Sequence, residues 1–213
     1  MSPTPCSAMA EVKPGWRGRF YEDFAVGDVY EHPLGRTVTE TDNVWMTLLT
    51  QNTAPIHFDG HYAAQTEFGR RLVDSTFTLS LVTGQSVTDV SQNVMANLGW
   101  DEVRLPAPVF EGDTLYSRSE VLSCRESRSR PEVGIVEVRT TGFNQDGTVV
   151  ITFRRTLLVY KRGRGGCSRS EVRCRERPTT RASGVTRSRS PAARAAGCPA
   201  RGRAGRRAAC AGR

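Results

Sequence analysis

The stretch that decides the fold is Ser75-Thr-Phe-Thr-Leu-Ser-Leu-Val-Thr-Gly-Gln-Ser-Val-Thr-Asp-Val90. It is the longest helical candidate in the chain, and its large apolar residues are Phe77, Leu79, Leu81, Val82, Val87 and Val90. A helix that is apolar around much of its surface is a buried helix, because water would otherwise contact those side chains. The remaining elements are therefore expected to cover this helix.

Strand-like segments dominate the chain after this helix. Four segments there alternate in polarity or are rich in valine, isoleucine and threonine: 94–105, 114–125, 134–143 and 148–160. Gly112-Asp113 and Asn144-Gln-Asp-Gly147 separate three of them as turn signals. One more strand-like run, Val29 to Thr39, precedes the helix. This order predicts an α+β domain in which an antiparallel sheet wraps around one long buried helix.

Two further helices are predicted between the first strand and the long helix. Thr39-Glu-Thr-Asp42 offers capping residues for a helix that ends near Asn52. Asp59 can cap a short helix that carries Tyr62 and stops at Gly69. The two helices are expected to flank a loop that a proline stiffens.

Composition divides the chain into a flexible segment 1–15, a folded domain 16–162 and a tail 163–213. Residues 164–213 contain 14 arginines, two glutamates, no lysine and no aromatic residue, which gives them a net charge of +12. The whole chain carries +8, so residues 1–163 carry −4. The tail cannot bury enough apolar surface to fold, and we predict that it is disordered. A basic tail can bind RNA, DNA or anionic lipid, but we favour a low-complexity extension without that function.

The cysteines match neither a disulfide framework nor a zinc site. Four of the six lie in the tail without an accompanying histidine, and the other two are Cys6 and Cys124. This usage predicts a protein of the reducing cytoplasm that binds no metal. Residues 1–15 do not resemble a secretory signal, and no stretch of about 18 apolar residues predicts a membrane span.

The segment Gln51-Asn-Thr-Ala-Pro-Ile-His-Phe-Asp59 carries the candidate chemistry. It places the amide of Asn52 and the imidazole of His57 five residues apart on a loop that Pro55 stiffens. Histidine is the commonest acid–base residue near neutral pH. A polar partner at a fixed offset in a rigid loop suits the positioning of a water molecule or a substrate carbonyl.

This segment and the residues after it resemble the MaoC-like, (R)-specific enoyl-CoA hydratase family. The matching positions are Pro55, Ile56, His57, Asp59, Tyr62 and Ala63. Two positions depart from the family pattern, since Asn52 stands where the family has its catalytic aspartate and Ala54 where it has an asparagine. Together with residues 68–73 and 84–87, this segment is most similar to the mesaconyl-CoA hydratase (β-methylmalyl-CoA dehydratase) branch of the family. The substrates of that branch are short, branched, dicarboxylic acyl-CoAs.

The resemblance covers residues 18–162 and implies a single hot-dog fold that forms a homodimer. It also implies an acyl-CoA substrate and no separate cofactor, because coenzyme A is part of that substrate. The implied reaction adds water to an enoyl-CoA or removes it from a 3-hydroxyacyl-CoA.

The same resemblance assigns expected roles to individual residues. His57 would be the acid–base residue and Asn52 would orient the water. The backbone N–H of Ser75 would stabilise the thioester oxygen, and Arg70 and Arg71 would bind coenzyme A phosphates or a second substrate carboxylate, although a solvated pair is an equal alternative. Structural roles within the motif fall to Pro55, Asp59 and Tyr62.

Two other functions remain open at the level of the sequence. One is an acyl-CoA thioesterase on the same fold, for which Asp74 and Asp89 are the candidate carboxylates on the long helix. The other is a non-catalytic acyl-CoA-binding protein, which the two departures at Asn52 and Ala54 motivate.

Overall fold

The computed structural model describes residue 13 and residues 15–164 of the 213-residue chain. The predicted tail from residue 165 onward and most of the predicted flexible segment 1–15 lie outside the described residues. Within the described part, no helix is long and apolar enough to cross a membrane.

Five antiparallel strands form one sheet. They are β1 (Val29–Thr37), β2 (Val94–Arg104), β3 (Thr114–Glu126), β4 (Val133–Phe143) and β5 (Val149–Tyr160). Their order across the sheet is β1-β3-β4-β5-β2. Each strand after the long helix begins and ends within one residue of its predicted bounds. Gly112 and Gly147 lie in the predicted turns with φ angles of +95° and +77°, which glycine adopts without strain.

The helices are α1 (Glu40–Thr50), α2 (Gly60–Ala63) and α3 (Ser75–Gln85), with 3₁₀ turns at Tyr21–Asp23 and Pro55–His57. Both predicted caps are present. The hydroxyl of Thr39 accepts from the backbone N–H of Asp42, whose carboxylate accepts from the backbone N–H of Thr39 in return. The carboxylate of Asp59 accepts from the backbone N–H of Tyr62 at 3.0 Å.

The long helix is shorter than the predicted span Ser75–Val90. Its α-helical part ends at Gln85, and a π-helical turn follows over Val87–Ser91. At the junction, the hydroxyl of Ser86 donates to the carbonyl of Thr83, and this side-chain bond competes with the regular helical ladder. The wider turn lets the carboxylate of Asp89 reach two partners, which are described below.

The sheet packs against α3 as the hot-dog arrangement requires. Val82 of α3 is fully buried and belongs to the same apolar cluster as Ile151 of β5. A Cβ atom at Gly142 would come within 2.8 Å of both side chains, so the absence of a side chain there permits the close approach of helix and sheet. The predicted fold class is confirmed, although the opposite side of α3 stays open to solvent at Ser80 and Gly84.

The core consists of two apolar clusters with a buried polar layer between them. On β5, buried Arg155 separates Phe153 of one cluster from Leu157 of the other. On β4, Val138 is opposite Arg155, and Thr140, which is fully buried, is opposite Phe153. The polar side chains that share this layer include His32, Ser86, Ser119, Thr140 and Arg155.

Helix α1 turns a polar face inward and an apolar face outward. Asn43 and Thr47 are buried, whereas Trp45, Leu48 and Leu49 are 65%, 70% and 78% exposed. The apolar spacing predicted the helix correctly. The apolar residues of α1 do not form its buried face, because hydrogen bonds hold the polar face of the helix against the rest of the protein.

Candidate active site

The loop between α1 and α3 brings the candidate residues together. Gln51 ends α1 in the left-handed conformation, with φ 57°. Pro55 begins the 3₁₀ turn that contains His57, a position that suits its fixed φ. The backbone N–H of Leu72 donates to the carbonyl of Ile56 at 3.2 Å, which ties this turn to the segment leading into α3.

The ring of His57 has a defined orientation and tautomer. Its Nδ1 lies 2.8 Å from the carbonyl oxygen of Leu72. A carbonyl oxygen only accepts, so Nδ1 carries a proton, and in the neutral form of the ring the lone pair is on Nε2. The side chain is half-buried. This arrangement suits a general base.

The amide of Asn52 is held at both ends. Its Nδ2 donates to Oδ2 of Asp74 at 2.5 Å, and its Oδ1 accepts from the backbone N–H of Ala54 at 3.1 Å. These partners fix which end of the amide is nitrogen. One N–H and one lone pair of the amide remain for a further molecule.

Asp74 lies next to Asn52 and caps α3. Its Oδ1 accepts from the backbone N–H groups of Thr76 at 2.7 Å and Phe77 at 3.2 Å, and from the hydroxyl of Thr76. Burial favours the neutral acid, but hydrogen bonds from Thr76, Asn52 and the helix amides outweigh it and hold the pKa of Asp74 below its usual range. Asp74 is therefore an ionised helix cap at neutral pH.

Ser75 is the first residue of α3 and is exposed. A backbone N–H at this position has no acceptor within its own helix and points out of the helix N-terminus. Because Asp74 caps the N–H groups of Thr76 and Phe77, the start of α3 presents the backbone N–H of Ser75, together with the positive end of the helix dipole, beside Asn52.

The two arginines of the motif have different surroundings. Arg71 forms ion pairs with Glu40 at 2.7 Å and Glu111 at 3.0 Å, so its charge is already matched. The guanidinium of Arg70 stacks over the ring of Phe110 at 3.8 Å and is exposed. Arg70 is therefore better placed than Arg71 to meet an anion from solution.

The three motif residues with expected structural roles lie in the 3₁₀ turn and around α2. Pro55 starts the 3₁₀ turn and Asp59 caps α2, while Tyr62 is exposed by 47% on that helix. His61 is also exposed on α2. Asp89 lies in the π-helical turn and contacts His32 and Arg19, not the residues of this loop.

Sequence reasoning missed Asn43. This fully buried side chain of α1 contacts the backbone of His57, Leu72 and Asp74 as well as the carboxylate of Glu111. An asparagine just after a capping box gives no signal of such contacts, because it looks like an ordinary residue of the first helical turn. Within the described residues, no three histidine, cysteine or acidic side chains cluster as metal ligands.

Comparison with known proteins identifies the family. A family model of mesaconyl-CoA hydratase matches residues 4–185. The chain is 36% identical over 145 residues to a mesaconyl-CoA hydratase of Cereibacter sphaeroides, covering 68% of this chain and 42% of that protein. It is 34% identical over 145 residues to a β-methylmalyl-CoA dehydratase of Chloroflexus aurantiacus, covering 68% and 41%.

A solved structure agrees with the sequence relatives. A MaoC domain protein of Chloroflexus aurantiacus superposes with a TM-score of 0.68 at 33% identity, covering 72% of this chain and 43% of that one. The chain thus spans about two fifths of the length of these relatives. With the hot-dog sheet, the motif around His57 and the family model in agreement, the chain belongs to the mesaconyl-CoA hydratase family of MaoC-like hot-dog proteins.

Proposed function

We propose that this chain is a hydro-lyase unit that adds water to a short-chain enoyl-CoA or removes it from a 3-hydroxyacyl-CoA. The observation that carries the proposal is the fixed tautomer of His57, whose Nδ1 donates to the Leu72 carbonyl and leaves Nε2 as a base. Relatives named hydratase and dehydratase support this class of reaction.

The proposed step conserves atoms and protons. Nε2 of His57 takes a proton from water while the water oxygen bonds to C3 of the enoyl thioester. The resulting imidazolium returns that proton to C2, so His57 ends in its starting state. Asn52 cannot exchange a proton at neutral pH, but its remaining N–H and lone pair can hold the water in line. A single acid–base residue therefore suffices.

The N-terminus of α3 is proposed to hold the thioester oxygen. Negative charge develops on this oxygen when the water adds to C3. The backbone N–H of Ser75 and the helix dipole would stabilise that charge. A backbone donor at this position does not depend on the identity of the side chain.

Arg70 is the proposed anion contact of the substrate. Its guanidinium is exposed and anchored on Phe110, whereas the ion pairs of Arg71 with Glu40 and Glu111 assign Arg71 a structural part. A branched dicarboxylic acyl-CoA, the substrate type that the sequence predicts, offers a carboxylate that a guanidinium can bind through two hydrogen bonds.

The first test follows the enoyl-thioester absorbance with mesaconyl-CoA and crotonyl-CoA. We expect the absorbance to fall with the wild-type chain, and we expect His57→Gln to lower the rate of this fall by at least about 100-fold. His61→Gln is the matched control, because His61 is exposed on the neighbouring helix α2, and it should retain the wild-type rate. Equal rates for wild type and His57→Gln would contradict the proposal.

The same assay separates the two alternatives when free thiol is measured beside the absorbance. A thioesterase releases a free thiol, and its candidate base would be Asp74, whose two oxygens already accept hydrogen bonds and whose pKa is held low. A binding protein leaves the band unchanged while the acyl-CoA still binds. Either result in the wild-type chain would overturn the hydratase proposal.

A further inference from the structure

A buried asparagine lies behind the proposed catalytic loop. Asn43 belongs to the first turn of α1 and has no solvent-exposed surface. Nothing in the proposed chemistry uses this side chain, yet burying an amide is costly unless its donors and acceptor are satisfied. Its partners therefore indicate what it does.

All partners of Asn43 belong to the site or to the segment beside it. Its Nδ2 lies 2.9 Å from the carbonyl oxygen of His57, 3.1 Å from that of Leu72 and 3.2 Å from Oε1 of Glu111. Its Oδ1 accepts from the backbone N–H of Asp74 at 3.0 Å. Two N–H groups thus serve three acceptors, and both ends of the amide are occupied.

The contact with Leu72 bears directly on the tautomer of His57. The carbonyl oxygen of Leu72 accepts from Nδ1 of His57 and also from Nδ2 of Asn43. Asn43 therefore holds the backbone of His57 and the oxygen that fixes its ring. Through Asp74 it also holds the start of α3, where the backbone N–H of Ser75 lies.

The ion pair of Arg71 and Glu111 stabilises the contact between Glu111 and the amide of Asn43. Oε2 of Glu111 accepts from Arg71 at 3.0 Å, which leaves Oε1 facing Asn43. Arg71 is bound in turn by Glu40 of α1. The ion pairs of Arg71 thus keep Glu111 in place as an acceptor for Asn43.

We propose that Asn43 is a positioning residue for the hydration reaction. It keeps the imidazole of His57 in the Nδ1–H tautomer and holds that ring in register with the N-terminus of α3. The expected effect on the reaction rate rests on the proposed function. The tautomer of His57 can be measured in the chain without substrate.

The direct test measures the ¹⁵N chemical shifts of the His57 ring in the full chain without ligand. The wild type should show the Nδ1–H tautomer. Asn43→Ala should shift the population toward Nε2–H, because the carbonyl groups of Leu72 and His57 lose the contacts that hold them in place and the Leu72 oxygen moves out of line with Nδ1. Thr47→Ala is the matched control, since Thr47 is buried on the same helix and donates only to Val44 of that helix. It should leave the tautomer unchanged.

Kinetics provide the second readout. We expect Asn43→Ala to lower kcat by about 10- to 100-fold with little change in KM, because the substrate contacts remain while the base is misplaced. Thr47→Ala should keep kcat near the wild-type value. If the wild type is inactive but the tautomer shifts in Asn43→Ala only, the proposed function fails and the positioning role stands.

Two results would overturn the positioning role. One is an unchanged His57 tautomer in a folded Asn43→Ala variant. The other is measured on the wild type and serves if the variant does not fold. The side-chain N–H groups of Asn43 should exchange with solvent at least about 10-fold slower than those of a free asparagine. Exchange at the free rate would remove the hydrogen bonds on which the role depends.

Discussion

At the scale of single residues, the site pairs an amide with a carboxylate. Asn52 lies where the resemblance to the MaoC-like family leads us to expect an aspartate, and Oδ2 of Asp74 lies 2.5 Å from its Nδ2. The amide can donate to that carboxylate, whereas a second carboxylate could not. The identity of residue 52 is thus coupled to that of residue 74.

This coupling predicts the behaviour of Asn52→Asp. Two carboxylates at hydrogen-bond distance would share one proton, so the pKa of the pair rises above its value in the unfolded chain. The stabilising shared proton is present at low pH and is lost as the pH rises through that raised pKa. We expect the melting temperature of the variant, relative to wild type, to fall more at pH 8 than at pH 5.

The double variant Asn52→Asp/Asp74→Asn is the control for that prediction. It restores an amide–carboxylate pair with the polarity reversed, and the Oδ1 of the new asparagine can still cap α3. The double variant should therefore be more stable at pH 8 than Asn52→Asp alone. If it is not, the contact between residues 52 and 74 does not govern stability.

At the scale of elements, the π-helical turn after α3 anchors a buried histidine. Nδ1 of His32 on β1 lies 3.0 Å from the carboxylate of Asp89, and Nε2 lies 2.9 Å from the hydroxyl of Ser119. Burial lowers the pKa of His32, although Asp89 acts in the opposite direction, and the charges of Arg155 and Arg19 lower it further.

The lowered pKa of His32 predicts a loss of stability in mild acid. The unfolded chain takes up the proton first, near the usual histidine pKa of about 6.5. The free energy of unfolding should therefore fall as the pH drops from 7.5 to 5. In chemical denaturation, His32→Gln should show a smaller fall over this range, and the exposed control His61→Gln should show the wild-type fall. The same pH dependence in all three proteins would refute the role of His32.

Most elements were predicted from the sequence because local patterns determine them, although α2 ends at Ala63 and not at the predicted Gly69. Alternation of apolar residues and turn glycines located the strands, and Thr39 and Asp59 capped the predicted helices. The end of α3 at Gln85 was not predictable, since it depends on side-chain contacts made by Ser86 and Asp89 with distant strands.

At the scale of the whole molecule, the core contains an arginine without a carboxylate partner among the described residues. Arg155 is 2% exposed, and one of its N–H groups donates to the hydroxyl of Ser86 at 2.6 Å. Its Nε has no hydrogen-bond partner in the described part of the chain. Burial lowers the pKa of Arg155 to about 10. The charged form is therefore destabilised inside the fold.

Replacement of this arginine should stabilise the protein. We expect Arg155→Met to raise the free energy of unfolding by about 1–3 kcal/mol at pH 7, because a side chain of similar length replaces a poorly satisfied buried charge. Arg154→Met is the control: Arg154 pairs with Glu102 and Glu137, and its replacement should not stabilise the protein. Urea denaturation measures both effects. A less stable Arg155→Met would show that Arg155 has a stabilising role in the fold.

The exposed apolar surface supports the homodimer that we propose. Leu48 and Leu49 of α1 and Trp100 of the edge strand β2 are 70%, 78% and 46% exposed. Apolar surface and an unpaired strand edge of this kind usually meet a partner. Sedimentation should give a dimer at micromolar concentration, and a stable monomer would contradict this proposal.

The candidate site was only partly predictable. Spacing and residue type identified His57 and Asn52, because both lie within one short loop. Asn43 could not be found in this way, since its role depends on contacts with residues 14, 29, 31 and 68 positions away in sequence. The different surroundings of Arg70 and Arg71 likewise come from tertiary contacts with Phe110 and Glu111.

The measurement that tests the central claim most directly is the mass of the acyl-CoA product formed from mesaconyl-CoA in water enriched in ¹⁸O. The account predicts an intact coenzyme A thioester that has gained one labelled water, formed by wild type and not by His57→Gln. Free coenzyme A with a labelled carboxylic acid would show a thioesterase, and unchanged substrate would show a protein without this activity. Either result would contradict the assignment of His57 as the base of a hydration reaction.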